Sequence, residues 1–170
     1  MTVSSSPIVK WPESKMLIRF SDCDLYGHLS NIQYVKYFMD AREDHISESY
    51  GLSLGDFAKK GIGWVVSSNQ IAYFRSAKIN EPVILRSAII DVTPAYILVE
   101  MQMIDEKRTN IKASMWSKFV HISLKDGRKT EHSSELMELF NQVKLDNVQL
   151  DFESRMKELK TTLLTDHTEE

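Results

Sequence analysis

Asp22 and Asp24 flank the only cysteine of the chain, Cys23, and Gly27, His28 and Asn31 follow. A carboxylate at Asp24 can attack a carbonyl carbon, or activate a water that does so. That chemistry also needs a donor for the oxyanion that forms. The first N–H groups of a helix lack intrahelical partners and carry the positive end of its dipole. A helix beginning at Asn31 would offer the N–H groups of Asn31 and Ile32 a few residues from Asp24, with Gly27 allowing a sharp turn between.

Each residue also has a plainer reading. Asp24 fits a turn aspartate bonding its own backbone, and the local sequence alone favours that. Asp22 reads as an organiser of the loop. Cys23 reads as a small packed residue, although a nearby helix start can activate a thiol. His28 fits a loop-orienting role and a substrate contact equally well. Tyr34 and Tyr37 read as core or interface. The spacing of Asp22, Asp24 and His28 matches no metal motif, and no metal or cofactor is expected.

These residues need a strand before them and a helix after them. Lys15–Phe20 reads as the strand, with Met16, Ile18 and Phe20 on one face. Ser30 and Gln33 have the S-x-x-Q spacing of a capping box, and Leu29 and Tyr34 that of a hydrophobic staple. Ile32, Val35, Phe38, Met39 and Ile46 recur at helical spacing, and Gly51 is a stop. The predicted helix, 31–50, would be about 30 Å long. A short helix at 53–60 follows. Strands are predicted at 63–74, 82–92, 95–104 and 109–124, with turns at 105–110 and Asp126-Gly127. Short connections favour an antiparallel sheet of five strands. Ser134 can cap a helix through Leu136, Leu139 and Phe140, and Phe152, Met156, Leu159 and Leu163 mark another. The expected organisation is a loose segment 1–14, a domain 15–128 and a helical extension 129–170, with a disordered TDHTEE end. The class is α+β, with one long helix across a sheet whose edge strands invite dimerisation.

At 170 residues the chain suits one domain. A net charge of −3 gives no basic footprint for nucleic acid. One cysteine excludes an internal disulfide and fits a reducing compartment. No apolar run is long enough for a membrane span, and the N-terminus lacks the apolar core of a signal peptide. A cytoplasmic protein is expected.

D-C-D-L-Y-G-H-L-S-N-I-Q-Y resembles the D-x-D-x-x-G-H-x-x-N-x-x-Y signature of hotdog-fold acyl-CoA thioesterases of the hydroxybenzoyl-CoA thioesterase type. The resemblance covers roughly residues 15–125, including Ile71–Arg75. It implies a long helix wrapped by a curved five-stranded antiparallel sheet, paired protomers with sites at their interface, and dimers of dimers. It implies an acyl-CoA substrate, Asp24 as nucleophile or general base, and the Asn31 N–H as oxyanion donor. His28 and Tyr34 match motif positions and are expected as substrate contacts, and Ser67, Ser68 and Asn69 fall where the facing protomer completes an acyl pocket.

The chain departs from the pattern at Ser30, at Ser76 and in the turn 92–96, which lacks basic residues for CoA phosphates. Arg75, Lys78, Arg86, Lys112 and Lys118 are the remaining candidates for that contact. Two alternatives stay open: hydrolysis of acyl-carrier-protein thioesters, and a non-catalytic acyl-thioester-binding module. Hydratase chemistry fits less well, because the aspartate–histidine helix pattern expected for it is absent.

Overall fold

Val83, Leu85 and Ile89 alternate with Ile84 and Ile90 along one strand, and all five are buried. A strand apolar on both sides must be covered on both sides. In the computed structural model, which describes residues 8–165, both faces are covered. The strands are β1 (Glu13–Leu17), β2 (Ile62–Tyr73), β3 (Pro82–Val92), β4 (Tyr96–Asp105) and β5 (Ile111–Ser123). They form one antiparallel sheet in the order β1-β3-β4-β5-β2. The helices are α1 (Asn31–Tyr50), α2 (Leu54–Lys59), α3 (Ser134–Val143) and α4 (Phe152–Thr165).

Helix α1 lies against one face and touches β1, β3, β4 and β5. Its core joins Tyr34, Tyr37 and Phe38 to Leu85, Ile89, Met101, Met103 and Met115. A second cluster on the other face joins Ile84, Ile90, Ile104 and Trp116 to Met156 and Leu159 of α4. Helix α4 thus covers part of the sheet face opposite α1. There Glu100, fully buried, accepts from Trp116 Nε1 at 2.9 Å, Gln102 Nε2 at 2.6 Å, and Arg155 Nε and Nη2 at 2.9 Å each.

Helix α1 has the predicted bounds, and Gly51 ends it in the left-handed conformation at φ 63°. Of the apolar stripe read from sequence, Phe38 is in the core and Val35 and Met39 pack against it, but the fully buried stripe is broader and more polar. It runs Tyr34, Tyr37, Phe38, Ala41, Arg42, His45, while Ile32 is 79% exposed. Tyrosine, arginine and histidine can occupy that stripe because each polar tip finds a partner inside. The capping box does not form. Ser30 makes no side-chain cap; its N–H donates to the Asp22 carbonyl at 3.0 Å, and the Gln33 N–H uses the Ser30 carbonyl at 2.9 Å. Helix α3 is capped by Ser133, not Ser134, through the Leu136 N–H at 3.2 Å.

The first strand begins earlier and ends earlier than expected. The Pro12 carbonyl accepts from the Ser87 N–H at 3.2 Å, and Trp11 lies 4.8 Å from the Arg86 guanidinium, so residues 11–14 belong to the folded unit. Phe20 leaves the strand for a 3₁₀ turn, Phe20–Asp22, and is 79% exposed. Residues 1–7 and 166–170, and the Leu163 side chain, lie outside the described residues. Among the described residues no helix is long and apolar enough to cross a membrane.

Candidate active site

The 19–31 segment is stitched before it is chemical. The Asp24 N–H donates to the His28 carbonyl at 2.8 Å, and the Gly27 N–H to the Asp24 carbonyl at 3.1 Å. Gly27 takes φ 72°, which a side chain would strain. The loop is then sewn to 77–79: Leu29 donates to the Ala77 carbonyl at 2.8 Å and Ile79 to the Gly27 carbonyl at 2.9 Å. Beneath it, the buried Tyr34 hydroxyl accepts the Ala77 N–H at 3.1 Å.

Inside this frame Asp24 bonds its own backbone, as the turn reading requires. Oδ1 accepts from the Tyr26 N–H at 2.9 Å and the His28 N–H at 3.2 Å. Oδ2 has no partner among the described residues, and the side chain faces outward. One oxygen therefore fixes the orientation of the carboxylate. Asn31 opens α1, and neither its N–H nor that of Ile32 has an acceptor among the described residues. The Asn31 carbonyl accepts from the Tyr73 hydroxyl at 3.0 Å, which holds the first helical turn to β2. Tyr73 also packs edge-on against Tyr34, with ring centroids 5.1 Å apart. Sequence spacing gave no hint of this clamp, because Tyr73 lies 42 positions from Asn31.

Asp22 is a structural residue: Oδ2 accepts from the Tyr37 hydroxyl at 2.8 Å, and that hydroxyl accepts the Arg19 N–H at 3.0 Å. Cys23 points its Sγ at the Arg19 carbonyl, 3.3 Å away. Burial, then the charges of Asp24 and Asp22, push its thiol above the ordinary cysteine value, against a thiolate nucleophile. His28 is half-buried, and its backbone pairs with Lys78. Tyr34, predicted as a substrate contact, is buried with its hydroxyl used at Ala77.

Ser67, Ser68 and Asn69 lie exposed on β2, at the sheet edge beside a bulge between Val66 and Ser68. Asn69 Oδ1 accepts from Ser117 Oγ at 2.6 Å. Among the described residues none of the three hydrogen-bonds to the 22–31 loop. Of the five cations considered for CoA phosphates, three are engaged internally. Lys112 pairs with Glu81 at 2.7 Å, Arg86 donates to Gln102 Oε1 at 2.9 Å, and Lys118 Nζ sits 4.1 Å from the Tyr96 ring centroid. Arg75 and Lys78 remain exposed, with Lys78 next to the loop. No group of three potential metal ligands occurs among the described residues.

The fold has many solved relatives. A DHNA-CoA thioesterase from Staphylococcus aureus superposes with TM-score 0.72 at 19% identity, over 78% of this chain and 90% of that one. A putative oleoyl thioesterase from Lactobacillus plantarum gives 0.71 at 22%, over 77% of this chain and half of that one. A probable thioesterase from Escherichia coli gives 0.68 at 22%, over 78% and 98%. No curated protein matches the sequence. The sequence profile of the thioesterase-like superfamily, however, matches residues 18–140, most of the chain and all of the loop, α1 and the strands after it. On that match and this topology, the chain belongs to the thioesterase-like superfamily and is a thioester hydrolase of hotdog fold.

Proposed function

We propose that the chain hydrolyses acyl-CoA thioesters at the 22–31 loop, with Asp24 as nucleophile or general base and the Asn31 N–H as oxyanion donor. Water supplies the new C–O bond, the C–S bond breaks, and a carboxylate and the free CoA thiol leave. One observation carries this reading. Among the described residues Asp24 offers an unbonded oxygen from a turn fixed by its other oxygen, just before an N–H without an acceptor at the start of α1. Tyr73 contributes by holding that turn of helix in place.

In the single chain this loop faces outward, so the site needs a further wall. Phe20, Leu25, Tyr26 and Ile32 are each at least 79% exposed around it, and Val65 and Val66 are exposed on the β2 edge. Apolar side chains beside an unpaired strand edge are what a second copy would cover. A homodimer through β2 would bring that strand of a second copy toward the loop, and with it the positions of Ser67, Ser68 and Asn69. Lys78 and Arg75 are the cations left to meet CoA phosphates.

The names of the structural relatives span an aromatic CoA thioester and an oleoyl thioester, so the acyl group is an experimental question. A free-thiol release assay over aromatic and aliphatic acyl-CoAs, beside matched acyl-carrier-protein substrates, tests the reading. The internal use of Lys112 and Arg86 is the observation that favours the carrier-protein alternative. Acyl-CoA turnover that exceeds carrier-protein turnover supports the first reading. Stoichiometric binding without thiol release would instead mark a binding module.

A further inference from the structure

At the far end of α1 from the loop, the last turns of the helix, α2, α3 and the sheet enclose a cavity of about 100 Å³. Its wall is apolar, with Phe57, Trp64, Phe119 and Phe140 prominent. Trp64 is held in that wall by its indole N–H, which donates to His132 Nε2 at 3.1 Å. One charged residue lines the cavity, Arg42, and it is 4% exposed. Arg42 lies eleven residues beyond Asn31, roughly 16 Å along the helix axis.

The partners of Arg42 are neutral. Nη1 donates to Ser87 Oγ at 3.1 Å, and the guanidinium carbon sits 5.9 Å from the centroid of Tyr50, another wall residue. Ser87 is shared with His45 Nδ1 at 2.8 Å. Among the described residues no carboxylate pairs with Arg42, whereas the buried Lys112 has Glu81 and the largely buried Arg155 has Glu100. The segment before Ile8, MTVSSSP, contains no acidic residue, and α4 runs on the opposite face of the sheet. A buried cation without an anion costs several kcal/mol, and a neutral hydroxyl offsets little of that. An apolar wall with one such cation is complementary to an anion that carries an apolar body.

We propose that this cavity binds a monocarboxylic acid with an apolar tail, its carboxylate on Arg42 and its tail among Phe57, Trp64, Phe119 and Phe140. A thioester carbonyl is neutral and would leave the cation uncompensated; the free acid would not. The ligand class coincides with the acid that thioester hydrolysis releases, yet the cavity uses neither Asp24 nor Asn31.

Butanoate and butanol, short enough for a cavity of this size, titrated into the full-length protein by calorimetry and by tryptophan emission, test the site. Butanoate should bind once per chain and about tenfold or more tightly than butanol. Arg42→Met should abolish that preference. Leu139→Trp, which fills the cavity and keeps the cation, should weaken both ligands. If Arg42→Met fails to melt as a folded protein, Leu139→Trp decides, and unchanged butanoate affinity overturns the proposal. It is also overturned by an absence of butanoate binding, by equal affinity for acid and alcohol, or by a preference that survives Arg42→Met. Leu139→Trp, at a residue outside the 22–31 loop, separates this site from the catalytic one. Weakened acid binding with thiol release retained in the folded variant supports a distinct site; acid binding unchanged there would place the acid at the loop and overturn the proposal.

Discussion

A free carboxylate oxygen on a stitched turn is the smallest unit on which the catalytic reading depends. Asp24→Asn keeps the shape and one acceptor oxygen but loses the charge. It should lower the rate of thiol release about 10²- to 10⁴-fold while substrate binding persists. A near-normal rate would remove Asp24 from the mechanism. Asp22→Asn should cost less, because Asp22 acts through the Tyr37 hydroxyl and loop order. Cys23→Ser should be mild, given a thiol that burial keeps protonated. Asp24 was legible in the sequence because its turn partners are local. The roles of Tyr73 and Tyr34 were not, since their partners come from distant segments.

Capping and docking decide the elements. Ser133 accepts from the Leu136 N–H, so Ser133→Ala should destabilise the protein by about 1 kcal/mol in urea unfolding. Ser30→Ala should change stability far less, because its hydroxyl caps nothing. The S-x-x-Q pattern misled because the preceding loop takes the Ser30 N–H for Asp22. Helix α4 depends on Arg155, which reaches a fully buried carboxylate. Arg155→Ala leaves Glu100 with Trp116 and Gln102 alone, and should cost about 3–5 kcal/mol. The double variant Glu100→Gln, Arg155→Met should recover part of that loss. Should the single variant unfold like the wild type, α4 is not anchored there.

For the whole molecule, acid stability and assembly are the measurable consequences. Burial, then the nearby Arg42 charge, pushes His45 down from 6.5 to about 4. Its neutral form is thus favoured in the folded state, and the unfolded chain binds the proton first. The stabilisation is complete above about pH 6.5 and is lost as pH falls toward 4, on the order of 3 kcal/mol in all. His132, also lowered by burial, acts in the same direction. Melting temperature should therefore fall across that window, and His45→Gln should flatten part of the slope. A slope unchanged by His45→Gln would assign the acid sensitivity to other groups. Sedimentation should find a species twice the 19.6 kDa chain, and Val66→Lys on the β2 edge should weaken it and thiol release together. A fully active monomer would sink the shared-site reading.

The sequence by itself determined the α+β class, the bounds of α1, the strand succession and the turn at Asp24. These depend on periodicity, on Gly51 and on contacts within a few residues. Tertiary structure alone decided that Arg42 and His45 are buried on α1, that α4 covers part of the second face, and that Lys112 and Arg86 are engaged internally. It alone placed Arg42 in an apolar wall, with no carboxylate paired to it among the described residues. The reason is physical: a polar side chain can be buried when a partner arrives from a remote segment, and no pattern along the chain records that arrival.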